Sequence, residues 1–187
     1  GYDHRFGKGR EASVSDLKEY SSEFNFIVDE IDAQEIEKIA ISSTKIRNSI
    51  NQGDLETTKK YLGRFFSLTG KVVKGDGLGK QIDYPTANIL IEEDYKIIPK
   101  DGVYYIRTTI DNKLYNGMMN IGHRPTIGFK SKSIEVNLFN FDRDIYDKVI
   151  SVDVVVKIRD EKKFSSINAL KAQLAKDEEH CLKLINK

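Results

Sequence analysis

Between Phe65 and Asp160 the sequence passes through six runs of β-type residues broken by short turn signals. They are Phe65–Val73, Thr86–Ile91, Gly102–Ile110, Lys113–Ile121, Ser133–Phe141 and Val149–Ile158. Strands this close together pair as antiparallel neighbours, so the region should form a barrel or a sandwich. Asp111-Asn112 reads as a tight hairpin although the usual glycine is missing. Pro85 and Pro99 fall at strand edges, where a missing N–H is tolerated. A helix from about Asn168 to Ile185 follows, with Ile167, Leu170, Leu174, Cys181 and Leu184 as its apolar face. Lys171, Lys176, Glu178 and Glu179 are read as its solvated side.

The chain before Gly63 has a different character. Residues 1–12 are a polar, glycine- and arginine-bearing loop. Val14–Tyr20 reads as a helix capped by Ser13 or Ser15, and Phe24–Val28 as a strand. Ile36–Ile41 is a short apolar stretch, and Ser42-Ser43-Thr44 supplies cap residues for a following helix. Gly53-Asp54 breaks that helix, and Leu55–Leu62 reads as another. Helix and strand alternate here as in an α/β unit, which sets the expected domains at 1–64 and 65–187 within an α+β chain. The first is too short for a full parallel sheet, and the opening GYDHRFGKGR is expected to come from the middle of a longer protein.

The net charge is +1, so no cationic field argues for nucleic acid or a membrane surface. One cysteine, Cys181, excludes an internal disulfide and fits a reducing compartment, so a cytoplasmic location is expected. No apolar run approaches membrane-spanning length. The oligomeric state is left open.

The chemistry centres on Gly75–Asn88, reading GDGLGKQIDYPTAN. Gly75, Gly77 and Gly79 alternate and Lys80 follows, a pattern whose exposed N–H groups and cation suit phosphate oxygens. Thr86 and Asn88 offer two neutral oxygens that share a side if the segment is extended. Such oxygens beside a phosphate loop suit Mg²⁺, which keeps phosphates and water as its other ligands. No Gly-Lys-Ser/Thr follows, so this is not a Walker A loop. Read by itself, from composition alone, the segment is first a flexible loop leading into a strand, and a phosphate site second.

Glu135 lies on a strand whose Ile134, Val136 and Leu138 alternate with Glu135 and Asn137. It either faces solvent or lines a site. A phosphoryl transfer to an alcohol needs held phosphates, a metal and a carboxylate for the hydroxyl, and the region offers a candidate for each. Asn120–Gly128 forms a second loop, where His123 and Arg124 could meet an anion. The three histidines lack zinc-ligand spacing, and no serine has a triad pattern.

In order, Val72-Val73-Lys74-Gly75, Gly79-Lys80, Tyr84-Pro85-Thr86-Ala87-Asn88-Ile89, Gly102-Val103-Tyr104, Asn120-Ile121-Gly122 and Arg124-Pro125-Thr126 resemble the riboflavin kinase signature. Glu135 with Leu138, Phe139 and Phe141, then Arg159, Glu161 and Phe164, continue it to the C-terminal helix. Gly1–Gly7 and Ile41–Arg47 resemble late motifs of the FMN adenylyltransferase module that precedes the kinase in the bacterial bifunctional riboflavin kinase/FAD synthetase. That module is a Rossmann-like nucleotidyltransferase, and Asp3, Arg5, Ser42, Ser43, Thr44 and Arg47 would be its remnant here. Its early His-x-Gly-His element is absent, so this polypeptide is not expected to convert FMN to FAD, whereas the intact protein would.

The resemblance implies a six-stranded Greek-key barrel that phosphorylates riboflavin with ATP and Mg²⁺. Gly75, Gly77, Gly79 and Lys80 would cover the ATP phosphates, and Thr86 and Asn88 would hold Mg²⁺ and phosphate oxygens. Glu135 would be the base, and Arg159, Glu161 and Phe164 part of the flavin wall. The sequence departs from the family pattern at Leu78, where arginine is common, at Asp83, where glycine is common, and at Asn137, where histidine is frequent. From another class, a non-catalytic barrel binding flavin, nucleotide or single-stranded nucleic acid would fit the strands but would not need Glu135 or the Thr86/Asn88 pair.

Overall fold

The structure, a computed structural model, describes residues 5–30, 35–36, 39–75, 77–123 and 132–185. Contacts divide the chain into two compact units, Gly1–Ser43 and Thr44–Lys187.

In the first unit a 3-10 turn, Lys8–Arg10, precedes α1, Val14–Phe24. Ser13 caps α1: its backbone N–H donates to the Asp16 carboxylate at 2.7 Å, and the charge stabilises the helix N-terminus. Asn25, left-handed at φ 49°, ends the helix. Phe24–Val28 is therefore not the strand that its residue types suggest: Phe24 closes α1, and Phe26 to Val28 have no regular structure. β1, Glu35–Ile36, pairs antiparallel with β2, Ile39–Ala40.

The second unit takes in all but the first residue of α2, Ser43–Gln52, and then α3, Leu55–Leu62. Gly53 turns the chain with φ 76°, and Asp54 caps α3 by accepting from the Thr57 N–H at 3.0 Å. Six antiparallel strands follow: β3 Phe66–Val73, β4 Ala87–Leu90, β5 Gly102–Ile110, β6 Lys113–His123, β7 Lys132–Leu138 and β8 Val149–Arg159. They close in the order β3-β4-β7-β6-β5-β8, with β8 returning to β3. β4 thus skips its successor and pairs with β7, the crossover of a Greek key. Closure leaves no free sheet edge. Asp111 and Asn112 turn β5 into β6 with φ 49° and 61°, so two residues that tolerate the left-handed region replace the expected glycine.

Alternation fills the barrel. Leu68, Val72, Ile106, Met119, Ile121, Ile134, Val136, Val152 and Val154 point inward, and Leu55 of α3 joins them. The opposite face of β5 and β6 presents Val103, Tyr105 and Met118. Helix α5, Ile167–Ile185, covers that face with Leu174, Cys181 and Leu184. Ile167 does not belong to the packed face: it is 56% exposed. Burial pushes the Cys181 thiol up to about 12, with the neighbouring Asp177 and Glu178 charges adding to the shift. Among the described residues no helix is long and apolar enough to cross a membrane.

Candidate active site

The three glycines do three different things. Gly75 sits against the Asn88 side chain, so closely that a Cβ would overlap its amide group. Gly77 is the conformational glycine: its φ of 72° makes it the left-handed N-cap of α4, a single turn over Leu78–Gln81 that sequence reading treated as loop. Gly79 lies inside that turn, where a Cβ would run into the Tyr84 carbonyl and come within 3.1 Å of Thr86 Oγ1. The segment is a short coil laid against Thr86 and Asn88, and both side chains face it.

β4 then carries this edge to β7. Asn88 is buried, pairs with Val73 on one side and lies in register with Glu135 on the other. Glu135 in turn lies opposite Asn120 of β6. The carboxylate is half-buried on the outer face, on the side of β7 away from Ile134 and Val136. Asn137 continues this face, and its amide donates to the Pro85 carbonyl at 2.7 Å, which fixes the turn before Thr86.

A cavity of about 250 Å³ opens over these residues between the barrel and α5. Gly79, Tyr84 and Thr86 form one wall. Asn120, Glu135 and Asn137 form the floor, with Val103 and Met118 as apolar neighbours. Arg159, Glu161, Lys162 and Phe164 form the opposite wall, and Leu170 and Leu174 of α5 close the side. Residues separated by up to about a hundred positions meet because the barrel closes. An apolar lining with a few converging polar groups is the usual make-up of a small-molecule site.

Each wall is braced. The Phe164 ring lies under two cations, Arg159 at 5.7 Å and Lys162 at 5.2 Å from its centroid. Gly122 of β6 has no room for a Cβ because the Glu161 carboxylate occupies that space. The Tyr84 hydroxyl donates to Glu178 of α5 at 3.1 Å, and burial, followed by that carboxylate, raises its pKa. Asp83 takes φ 65° and pairs with Lys171 of α5 at 2.5 Å, so the residue standing where glycine is common keeps the left-handed turn.

A second cavity, about 640 Å³, shares Thr86 with the first. Lys80 and Arg143 supply its cations, Asp83, Asp142 and Asp144 its carboxylates, and Val72, Ala87, Phe141 and Tyr146 its apolar surface; Arg143 also donates to Asp111 and to the Tyr115 hydroxyl, each at 2.9 Å. Thr86 lines both cavities.

The structure thus gathers Gly79, Thr86, Glu135, Arg159, Glu161 and Phe164 around one cavity, places Lys80 on the neighbouring one, and sets Gly75 and Asn88 beside them. Gly77 shapes the coil without meeting any neighbour at its Cβ position. The adenylyltransferase-like residues are not gathered there. Arg5, Ser42 and Ser43 belong to the first unit, Thr44 and Arg47 to the second, and all five are exposed. Asp3 and the Arg124–Gly128 part of the second loop lie outside the described residues, as does the side chain of Leu78.

Sequence reading missed Asp177. It is 2% exposed and receives the Arg159 guanidinium at 2.8 Å. Its signal was available: 170, 174, 177, 181 and 184 step along one helical face.

The riboflavin kinase family model (Flavokinase) matches residues 62–185, and the FAD synthetase model matches residues 1–45. A bifunctional riboflavin kinase/FMN adenylyltransferase of Buchnera aphidicola is 41% identical over the whole chain, which covers 60% of that protein. The Haemophilus influenzae protein of the same name is 36% identical over 96% of the chain and 58% of its own length. The chain therefore spans somewhat more than half the length of these relatives. A crystal structure named as a macrolide-efflux protein from Streptococcus pneumoniae superposes with a TM-score of 0.84 at 37% identity, over 96% of this chain and 57% of that one. With the kinase match running through every barrel strand to α5, the chain belongs to the riboflavin kinase family.

Proposed function

We propose that this chain transfers the γ-phosphoryl group of ATP to the terminal ribityl hydroxyl of riboflavin, giving FMN. The observation that carries the reading is Thr86 shared by two cavities, one walled by Glu135, Arg159, Glu161 and Phe164 and the other by Lys80 and Arg143 together with Asp83, Asp142 and Asp144. Riboflavin is assigned to the first and the nucleotide to the second, so the reacting oxygens meet at Thr86.

Phe164 and the apolar side chains of α5 take the flavin ring, and the polar floor takes the ribityl chain. Glu135 accepts the proton of the attacking hydroxyl as the O–P bond forms and the bond to the ADP oxygen breaks. General-base help of this kind contributes ~10²–10⁴-fold. Gly75, Gly77, Gly79 and Lys80 place N–H groups and a charge over the phosphates, which a largely dissociative transfer needs more than covalent chemistry.

The donor set suits Mg²⁺. Thr86 brings its hydroxyl oxygen to Gly79 of the coil, and Asn88 its side-chain amide to Gly75. Among the described residues no group of three His, Cys, Asp or Glu gathers as it would for a dedicated metal cage. Thr86 and Asn88 would hold the ion together with phosphates and water. Bound there, it would neutralise the charge that develops on the transferred phosphoryl oxygens.

Residues 65–187 are assigned to the kinase and residues 1–64 to the adenylyltransferase part, with α2 and α3 as the connecting piece. The test is incubation with riboflavin, ATP and Mg²⁺ and chromatography of the flavins. FMN is the expected product. Folded protein that makes none refutes the assignment, and FAD appearing beside FMN would assign adenylyl transfer to this polypeptide as well.

A further inference from the structure

We propose that Asp177 of α5 is a positioning residue for the flavin wall: it holds the Arg159 guanidinium, and with it the Phe164 ring, in the shape that receives riboflavin. The inference rests on the assignment of that cavity to the flavin.

Asp177 occupies a place where the helix otherwise presents Leu174 and Cys181 to the barrel. Its carboxylate is almost wholly buried and is met from two directions. Arg159 Nε donates to Oδ1 and Oδ2, each at 3.0 Å, and Nη2 donates to Oδ2 at 2.8 Å. Gln173 Nε2 donates to Oδ1 at 2.8 Å. Arg159 Nη1 donates to the Asp160 carbonyl at 3.0 Å, at the start of the segment that carries Glu161 and Phe164. One guanidinium therefore ties three things together: the helix, the end of β8 and the loop that walls the cavity. Its plane is fixed by the forked contact, because two parallel N–H groups meeting one carboxylate leave little rotational freedom. The Phe164 ring lies against that fixed cation.

Stability alone is a weak account of such a pair. A buried ion pair is often no more stabilising than apolar side chains of the same volume, and a leucine at 177 would extend the face formed by Leu174 and Leu184. What the pair supplies and leucine cannot is orientation of Arg159. Asp177 is not itself among the residues that line the cavity, whereas Arg159 is, so its effect passes through Arg159.

The experiment measures riboflavin affinity by quenching of flavin fluorescence, and KM for riboflavin and for ATP. The proteins are wild type, Asp177→Asn, Arg159→Met and the double variant Arg159→Met/Asp177→Leu. Loss of orientation in Asp177→Asn is expected to weaken riboflavin binding about tenfold while KM for ATP stays within about twofold. The double variant is expected to bind riboflavin as Arg159→Met alone does, since residues acting through one contact are not additive. Riboflavin affinity at the wild-type level in folded Asp177→Asn would overturn the proposal, and so would equal losses for riboflavin and ATP. Should Asp177→Asn not fold, the double variant, which leaves no buried charge, decides. Binding equal to Arg159→Met supports the role, and a further loss overturns it. Wild-type protein that binds no riboflavin would remove the kinase reading itself, whereas wild-type binding with unimpaired Asp177→Asn removes only the role of Asp177.

Discussion

Replacing Gly75 and, separately, Gly70 by alanine distinguishes a glycine kept for the site from one kept for the barrel. Neither has the positive φ of Gly77, so alanine meets no backbone penalty at either position and only the neighbours of the new Cβ matter. At Gly70 those neighbours are the Leu90 carbonyl and Ile89 Cγ2 of the adjacent strand. Backbone cannot step aside, so β3 and β4 must separate locally, at a cost of about 1–3 kcal/mol. In a unit of this size that lowers Tm by roughly 3–9 °C. At Gly75 the neighbour is the Asn88 amide, the end of a side chain that can rotate. Moving it leaves the strands paired but shifts a proposed metal and phosphate ligand by ~1 Å, a displacement that lowers turnover by about a hundredfold. The assay pairs thermal unfolding with kcat/KM for FMN formation, expressed per folded molecule. Gly70→Ala should melt early yet work normally below its transition, and Gly75→Ala should melt near wild type yet fail to turn over. If folded Gly75→Ala keeps kcat/KM within about twofold of wild type, the Asn88 amide is not a functional ligand and the reading of the coil is wrong.

Glu135→Gln keeps the shape of the floor but removes the base, so kcat should fall ~10²–10⁴-fold with ATP affinity little changed, and near-normal turnover would refute the role. Asn137→Leu leaves the Pro85 carbonyl without its amide donor, which should cost about 1–3 kcal/mol in chemical denaturation and raise KM for ATP through a looser Thr86; an unchanged denaturation midpoint would refute the contact. Cys181 has a folded pKa of about 12 against an ordinary 9.0. The raised value favours the protonated thiol in the folded state, so this contribution is complete below pH ~9 and is lost as pH climbs towards 12. Thiol reagents should therefore modify Cys181 only as fast as the unit opens, and rapid labelling of native protein at pH 8 would show that α5 does not seal it.

The strands were legible because each alternates between a filled interior and an outer face. Gly102–Ile110 and Leu55–Leu62 carry their own punctuation, a Gly at the start of one and Asp54 and Gly63 around the other, and their bounds are as expected. Elements without such punctuation were harder. The coil at Leu78–Gln81 forms from residues that include a glycine, a poor helix former, and is set by its Gly77 cap and by the Tyr84 N–H, which donates back to the Gly79 carbonyl at 2.8 Å. The aromatic run at Phe24–Val28 looked like a strand because β-propensity is local, whereas Asn25 in the left-handed region ends a helix there. In the candidate site, residue types marked Thr86, Asn88 and Glu135, but register brought them together: Asn88 and Glu135 become neighbours only because β4 pairs with β7 and not with β5. Asp177 was passed over because an aspartate among glutamates and lysines on a helix is normally solvated, and only its spacing from Leu174 and Cys181 placed it inward.

Helix α5 ties these pieces into one device. Its apolar face alone would seal β5 and β6, and Leu174, Cys181 and Leu184 suffice for that. Yet the same helix reaches both walls of the cavity with polar groups. Lys171 and Glu178 hold Asp83 and Tyr84 on the glycine-coil side, and Asp177 holds Arg159 on the opposite wall, the one proposed to meet the flavin. The contacts differ in strength. The Asp83–Lys171 pair is exposed, with side chains 80% and 49% accessible, and such pairs contribute at most about 1 kcal/mol. The Arg159–Asp177 pair is buried, and removing one partner of such a pair costs about 3–5 kcal/mol. Of these two ion pairs, the one on the Arg159 wall is thus the costlier to break, and the one at Asp83 the cheaper. That asymmetry suits a site in which one wall keeps its shape for a rigid ring while the other opens to admit and release a phosphate chain.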